Sequence, residues 1–205
     1  MAGRSPKQPG EYALARARRE WRASTVLVGL AVLTIPVAVL AFRFERPLVA
    51  LLPLVALGLV AGRLADRRGD AAVRWTKGAL SEAAVGTMLE ALRGEGYVVV
   101  HDREQLGEGN IDHVVAGPTG VFLIETKHRW YVDSATTKAK RQAVKLHNEL
   151  GVWITPVICV HARRRSPIRH DGVWVMSAEH LLDWIRAQHD RPARAAGLAR
   201  LSAGR

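Results

Sequence analysis

Residues 23–42, ASTVLVGLAVLTIPVAVLAF, run for 20 positions without a charged side chain. A helix needs about 20 mostly apolar residues to cross the hydrocarbon core of a bilayer, so this run fits a membrane span. Pro36 is tolerable there, because neighbouring helices and side chains satisfy the freed backbone groups. Arg43-Phe44-Glu45-Arg46 interrupts the run before a second uncharged stretch of 16 residues, 47–62. At ~1.5 Å per residue that stretch is short for a crossing, but Arg46 and Arg63 at its ends can snorkel to the interface. The pattern predicts a two-helix transmembrane hairpin, with the lipid bilayer as a partner. A cleaved signal peptide would have a shorter apolar region and no second one close behind it. A buried soluble hairpin would carry polar positions at helical spacing, which both runs lack.

Orientation follows from the cations near the membrane ends. Residues 1–22 hold six Lys and Arg, residues 63–77 hold five, and the connecting loop holds two. Both termini and the bulk of the chain are therefore expected on the cytoplasmic side. The single cysteine, Cys159, agrees with a reducing compartment and excludes an internal disulfide framework or a cysteine-based zinc site. The net charge of +11 favours an anionic partner, either nucleic acid or a phospholipid surface. It divides between a basic N-terminus (1–22), a basic linker (63–74) and the C-terminal two thirds of the chain. The mean hydropathy of -0.01 averages the two apolar runs with an ordinary soluble remainder.

That remainder reads as a small α/β domain. Over 76–93, Leu80, Ala84, Met88 and Leu92 recur every fourth residue with Val85 and Leu89 beside them, which predicts a helix ended by Gly94 and Gly96. Strand-like runs come next at 97–101, 111–116 and 121–127. Gly117-Pro118-Thr119-Gly120 separates the last two and predicts an antiparallel hairpin. A second helix is expected over 138–150, with Ala139, Ala143, Leu146 and Leu150 on one face and Gly151 as its stop. A buried central strand is expected over 153–160, a short strand over 173–176, and a last helix capped by Ser177. The order αβββαββα indicates a mixed β-sheet flanked by helices, spanning 75–189. The Ala/Arg/Gly-rich stretch 190–205 is expected to be a mobile tail, solvated or touching lipid or nucleic acid through its four arginines.

The hairpin brings three polar side chains together. With the turn centred between Pro118 and Thr119, Asp112 falls opposite Glu125, and opposed residues of an antiparallel pair have Cβ atoms about 5 Å apart. Lys127, two positions on, shares the face of Glu125. Two opposed carboxylates repel unless a positive charge sits between them, and Mg²⁺ accepts one or two carboxylates together with water and phosphate oxygens. Such a site would polarise a phosphate, with Lys127 orienting a water or stabilising the developing charge. Glu-x-Lys on a strand is more commonly a solvated face. Here, however, the apolar runs Val121–Ile124 and Val114–Ala116 mark strands buried on both sides.

The string Gly109-Asn110-Ile111-Asp112-His113-Val114-Val115-Ala116-Gly117-Pro118-Thr119-Gly120-Val121-Phe122-Leu123-Ile124-Glu125-Thr126-Lys127 closely resembles the signature of the nuclease-related domain (NERD) family, assigned to the restriction-endonuclease-like PD-(D/E)xK superfamily. The resemblance extends upstream to Lys77–Glu82 and downstream to Arg141-Gln142-Ala143, about 110 residues in all. It implies a restriction-endonuclease-like fold in which Asp112 and Glu125 bind Mg²⁺ and Lys127 serves the catalytic step. Glu82 would approach from the first helix, through a water, and Gln142 from the second; for Gln142 an exposed helix face is the alternative. Ser81 stands where the family usually has Gly, and the stretch 128–137 is shorter than the family's strand and loop there.

His113 belongs to the string, but alternation aims it at the opposite face, where it would pack or hydrogen-bond. Arg163, Arg164 and Arg165 form a basic loop that either grips phosphates or is a solvated turn. No Gly-rich phosphate loop with a following Lys is present, so nucleotide triphosphate hydrolysis has no support. Together these features lead us to expect a membrane-anchored, cytoplasm-facing nuclease that cuts DNA, or RNA in second place, using Mg²⁺. The alternative is a catalytically silent nucleic-acid-binding or membrane scaffold module with the same fold. The sequence does not fix an oligomeric state.

Overall fold

A computed structural model describes residues 8–43, 52–105, 107, 109–129, 132–162 and 164–188. The expected loop at 44–46, Arg163 of the basic run and the expected tail at 190–205 lie outside the described residues. The chain divides into two compact units, Ala13–Lys77, and Met1–Tyr12 with Gly78–Arg205.

In the first unit, helix α1 runs over Glu11–Arg43 and helix α2 begins at Leu52. Helix α1 starts earlier than the apolar run alone suggests, because Glu11–Arg22 is rich in Ala, Arg and Glu and carries no helix breaker. It is long and apolar enough to cross a membrane, and almost none of its apolar stretch is buried within the protein. Among the described residues it alone meets that test. Val26, Leu30, Leu33, Val37 and Leu40 are exposed, an apolar surface that suits lipid rather than water. The hydroxyls of Thr25 and Thr34 return to the carbonyls of Trp21 and Ala31, so neither is left unpaired.

The helices α1 and α2 pack antiparallel. Ser24 Oγ donates to the Ala65 carbonyl at 3.0 Å, and Arg68 pairs with Glu20 at 2.9 Å. The Arg16 guanidinium lies over the Trp75 ring, 5.6 Å from its centroid. Buried Ala17, Ala61, Ala65 and Ala72 let the backbones approach closely. The segment expected as a linker, 63–74, is helical: α2 continues unbroken to Leu89, since no proline follows Pro53 until Pro118.

In the second unit, α2 ends in a 3-10 turn over Glu90–Glu95, closed by Gly96 at φ 85°. The sheet has six strands: β1 Val98–Gln105, β2 Gly109–Gly117, β3 Gly120–Lys127, β4 Thr155–Val160, β5 Ile168–His170 and β6 Val173–Ser177, in the order β1-β2-β3-β4-β6-β5. The neighbours β3, β4 and β6 run parallel and the other pairs antiparallel. Helix α3 (Val132–Leu150) joins β3 to β4, and α4 (Ala178–Arg186) follows β6. The expected mixed sheet flanked by helices is therefore present. β3 lies near its centre and is buried along Gly120–Thr126, as its apolar run requires.

One face of the sheet buries Val115, Phe122 and Ile124 against Val85 and Leu89 of α2, Leu92 of the 3-10 turn and Leu181 and Ile185 of α4. The other buries Val114, Ala116, Val121 and Leu123 against Ala139, Ala143, Leu146 and Leu150 of α3. Several expectations need correcting. The core stripe is Val85 and Leu89 on α2 with Leu92 in the turn that follows, while Leu80 and Ala84 are exposed. Trp153 is exposed ahead of β4, and α3 starts six residues before Lys138. β5 was not anticipated, being three residues with two charged or polar side chains. Ser177 occupies the N-cap position of α4, but its hydroxyl donates to the Arg165 carbonyl at 3.2 Å and leaves the helix amides without a side-chain cap.

The β2–β3 turn is fixed from outside. Thr119 Oγ1 donates to the Ile185 carbonyl at 2.8 Å, so its one proton is committed and Tyr97 Oη must donate to Thr119 Oγ1, also at 2.8 Å. The Tyr97 ring then lies directly on Gly117, where an added Cβ would come within 2.2 Å of Cδ1. Gly117→Ala should cost about 1–3 kcal/mol by overpacking and lower the unfolding temperature. An unchanged thermal melt of the full chain would show that the ring yields freely.

Candidate active site

The β2–β3 register places residues summing as expected: His113 faces Ile124 and Gly117 faces Gly120. The regular ladder stops at His113↔Ile124, where the strands part. One residue further out, Asp112 Oδ2 accepts the Thr126 amide at 2.7 Å, so the carboxylate fills the place of a ladder bond. Glu125, on the face turned toward α3, is buried at 1% exposure. Such a charge is retained only when paired. Lys127 Nζ donates to its Oε1 at 2.5 Å, and Lys138 Nζ, from α3, reaches Oε1 at 2.9 Å and Oε2 at 3.0 Å.

Glu82 arrives from α2, half-buried, with its charge felt by Asp112, Asp102, Glu125 and Lys127. Its carboxyl makes no hydrogen bond or ion pair among the described residues. Burial first, and then the charges of Asp112, Asp102 and Glu125, push its pKa up to about 9. Burial followed by Glu125 pushes Asp112 up to about 7. Burial works against the charge of Lys127, but Glu125, Asp112 and Glu82 outweigh it and hold its pKa above the ordinary lysine value. Lys127 is therefore an ammonium across the physiological range.

Gln142 is buried, pointing inward rather than along an exposed helix face. Its Nε2 donates to the Asn110 carbonyl at 3.1 Å, and its backbone carbonyl accepts Gln105 Nε2 at 3.2 Å. It thus reaches the start of β2 beside Asp112 rather than the carboxylates directly. His113 lies on the opposite face, fully buried, with Nδ1 2.8 Å from Nδ1 of His101, whose Nε2 meets Glu90 Oε1 at 2.7 Å. Burial, with His101 adding to it, lowers its pKa to about 3, so it is neutral and structural. Ser81, the departure from the family's usual Gly, is buried with Oγ 3.1 Å from Nδ1 of His128, the residue after Lys127.

Arg164 and Arg165 lie in the segment between β4 and β5. That segment leaves the sheet beside Lys127, since the His161 amide donates to the Lys127 carbonyl at 2.9 Å. The Arg164 side chain is 93% exposed and lies 3.5 Å from Glu179. With His161, Ala162, Ser177, Ala178 and Glu179 it lines a groove of about 340 Å³ that contains none of the three carboxyls. Sequence reasoning missed Lys138, although it stands one helical turn before Gln142. It also missed Asp102, which sits at φ 51° and accepts Asn110 Nδ2 at 2.6 Å and the Tyr12 amide at 2.9 Å.

Among the described residues no three His, Cys, Asp or Glu side chains are grouped so as to hold an ion jointly. The donors that remain are the carboxylates of Asp112 and Glu125. Two oxygen ligands, with water and substrate completing the shell, are what Mg²⁺ ordinarily takes from a protein. Burial raises Asp112 and the Glu125 charge adds to it, a repulsion that a cation between the two would offset, so the residues fit such an ion.

Residues 77–161 match the sequence profile of the nuclease-related domain family, NERD. This stretch of the chain is similar to a nuclease-related domain, and the mixed six-stranded sheet has the α/β architecture that the resemblance implied. Among solved structures, the EndoMS-dsDNA2 complex is similar at 16% identity and a TM-score of 0.34, over 56% of this chain and 46% of that one. The chain thus spans less than half the length of that protein. No curated protein sequence matches it.

The raised carboxyls give a signed pH dependence. Glu82 holds its proton to about pH 9 when folded and releases it near its ordinary 4.5 when unfolded, so unfolding sheds a proton and rising pH destabilises the fold between those values. The same effect from Asp112 ends near pH 7. With divalent cations chelated, stability should therefore fall from pH 7 to 9, and Glu82→Gln should flatten that slope. An unchanged slope in Glu82→Gln would contradict the placement of Glu82.

Proposed function

We propose that the chain is a membrane-anchored nuclease that hydrolyses phosphodiester bonds of DNA, with RNA as second candidate substrate, using Mg²⁺ held by Asp112 and Glu125. The observation that carries this reading is the convergence of Asp112 and Glu125 with a charged Lys127 at the parting of β2 and β3, where Glu82 feels all three. The match to the nuclease-related domain family supports it. When bound, the cation would polarise a phosphate and lower the pKa of a water.

The chain's own groups supply the rest. Asp112 is held by the Thr126 amide, so its carboxylate is aimed before any substrate arrives. Lys127, kept protonated by its neighbours, stabilises the negative charge that develops on phosphoryl oxygens rather than acting as a base. Glu82, whose raised pKa leaves it a proton near neutrality, is suited to donate that proton to the leaving oxygen. Gln142 positions the start of β2 through the Asn110 carbonyl. Arg164 and Arg165, with Arg163 as the third of the basic run, would grip flanking phosphates.

For topology, we propose two spans, 23–42 and 47–62, with both termini and the nuclease-related domain in the cytoplasm. The cation distribution supports this orientation. Protease added outside intact cells should leave a C-terminal tag uncut; digestion would refute the orientation.

The purified full-length protein in detergent should cleave DNA only when Mg²⁺ is present. Asp112→Ala and Lys127→Ala should each lower the rate by roughly a hundredfold or more. No cleavage by the wild type, or activity that survives both substitutions, would overturn the enzymatic reading. Nucleic-acid binding without cleavage would favour the silent binding module.

A further inference from the structure

Lys138 Nζ lies against three oxygens, Glu125 Oε1 at 2.9 Å, Oε2 at 3.0 Å and the Asn110 carbonyl at 3.3 Å. That is the stance of a bound cation. Lys127 reaches only Oε1, at 2.5 Å. Both carboxylate oxygens of Glu125 thus accept from lysine, and a metal ion that bonds them competes with Lys138. We propose that Lys138 is an exchangeable counter-ion of the site, occupying the place on Glu125 that a divalent cation takes and leaving when the cation enters. This rests on the metal-site reading under Proposed function and adds a residue that sets how tightly the cation binds.

Two observations mark Lys138 rather than Lys127 as the lysine that leaves. Lys127 belongs to the strand that carries Glu125, and its backbone is fixed by pairing with Val160 and by the His161 amide. Lys138 reaches across from α3, and its side chain is about one third exposed, so its ammonium has water to move into, an exposure that Lys127 shares. The Asn110 carbonyl keeps a donor when Lys138 departs, because Gln142 Nε2 holds it at 3.1 Å. Charge balance agrees. The two lysines already neutralise Asp112 and Glu125, so a dication added on top would leave two positive charges in excess, and release of Lys138 removes one.

The test uses Mn²⁺ as the probe, with binding to the full-length protein in detergent followed by electron paramagnetic resonance. Lys138→Met removes the charge and keeps the chain length, and should tighten Mn²⁺ binding roughly tenfold, the scale of one lost charged competitor. Asp112→Asn should abolish binding. Mn²⁺ bound by wild type and lost in Asp112→Asn, but bound no more tightly by Lys138→Met, overturns this proposal and leaves the metal-site reading standing. Absence of Mn²⁺ binding in both wild type and Lys138→Met overturns both.

A measurement on the wild type needs no variant to fold. Lysine acylation mapped by mass spectrometry should rise several-fold at Lys138 as Mn²⁺ saturates the protein. Acylation at Lys138 that stays flat or falls overturns the proposal.

Discussion

A carboxylate withdrawn from water at the middle of a sheet is stable only where positive charge meets it, and the arrangement of the nuclease-related domain follows from meeting that condition at Glu125. The central position of β3, with β2 on one side and β4 on the other, is what buries Glu125. One cation comes from the same strand, where alternation puts Lys127 on the same face. The second has to come from the layer above, and α3 supplies it. The apolar half of α3 holds that layer in place through Ala139, Ala143, Leu146 and Leu150. Packing and site geometry are therefore one problem: whatever shifts α3 on the sheet also shifts the charge on Glu125.

Much of this was legible because strand periodicity is strict. Once Gly117-Pro118-Thr119-Gly120 identifies the turn, the register of β2 on β3 is set, and with it the faces of His113, Glu125 and Lys127. What pairing arithmetic misses is the end of the ladder: Asp112 bonds the Thr126 amide instead of continuing the pairing. Helical periodicity is looser. An every-fourth pattern through Leu80 and Ala84 competes with the stripe through Val85, Leu89 and Leu92, and only contact with Phe122 and Ile124 decides between them. Lys138 was illegible for a related reason. A lysine bordering an apolar stripe reads as a solvated residue, and nothing local announces a buried carboxylate on another element. Three-residue β5 has too little length for any period to register.

The helical unit shows the same limit in another form. Lack of charge over 23–42 marks a helix apolar enough to cross a membrane, but the pairing of α1 with α2 depends on small and polar residues at the start of that run and before it. Glu20 with Arg68, Ser24 with the Ala65 carbonyl and Arg16 over Trp75 fix an antiparallel register that hydropathy does not encode. Helix α2 then passes without a break from apolar to basic sequence, because helix propensity ignores the change in polarity that a hydropathy profile reads as a boundary.

The short connection after β3 ties these points to the site. Strand β3 ends at Lys127 and α3 begins at Val132, so Lys138 falls in the second turn of the helix, close enough to return over the strand it has just left. A longer insertion would remove that constraint and leave the early turns of α3 free to sit elsewhere. The contact between Ser81 and His128 acts on the same corner, tying α2 to the first residue after β3. The turn from the strand bearing Glu125 toward the helix bearing Lys138 is thus held from α2 through Ser81. The second lysine on the buried carboxylate is a consequence of that turn.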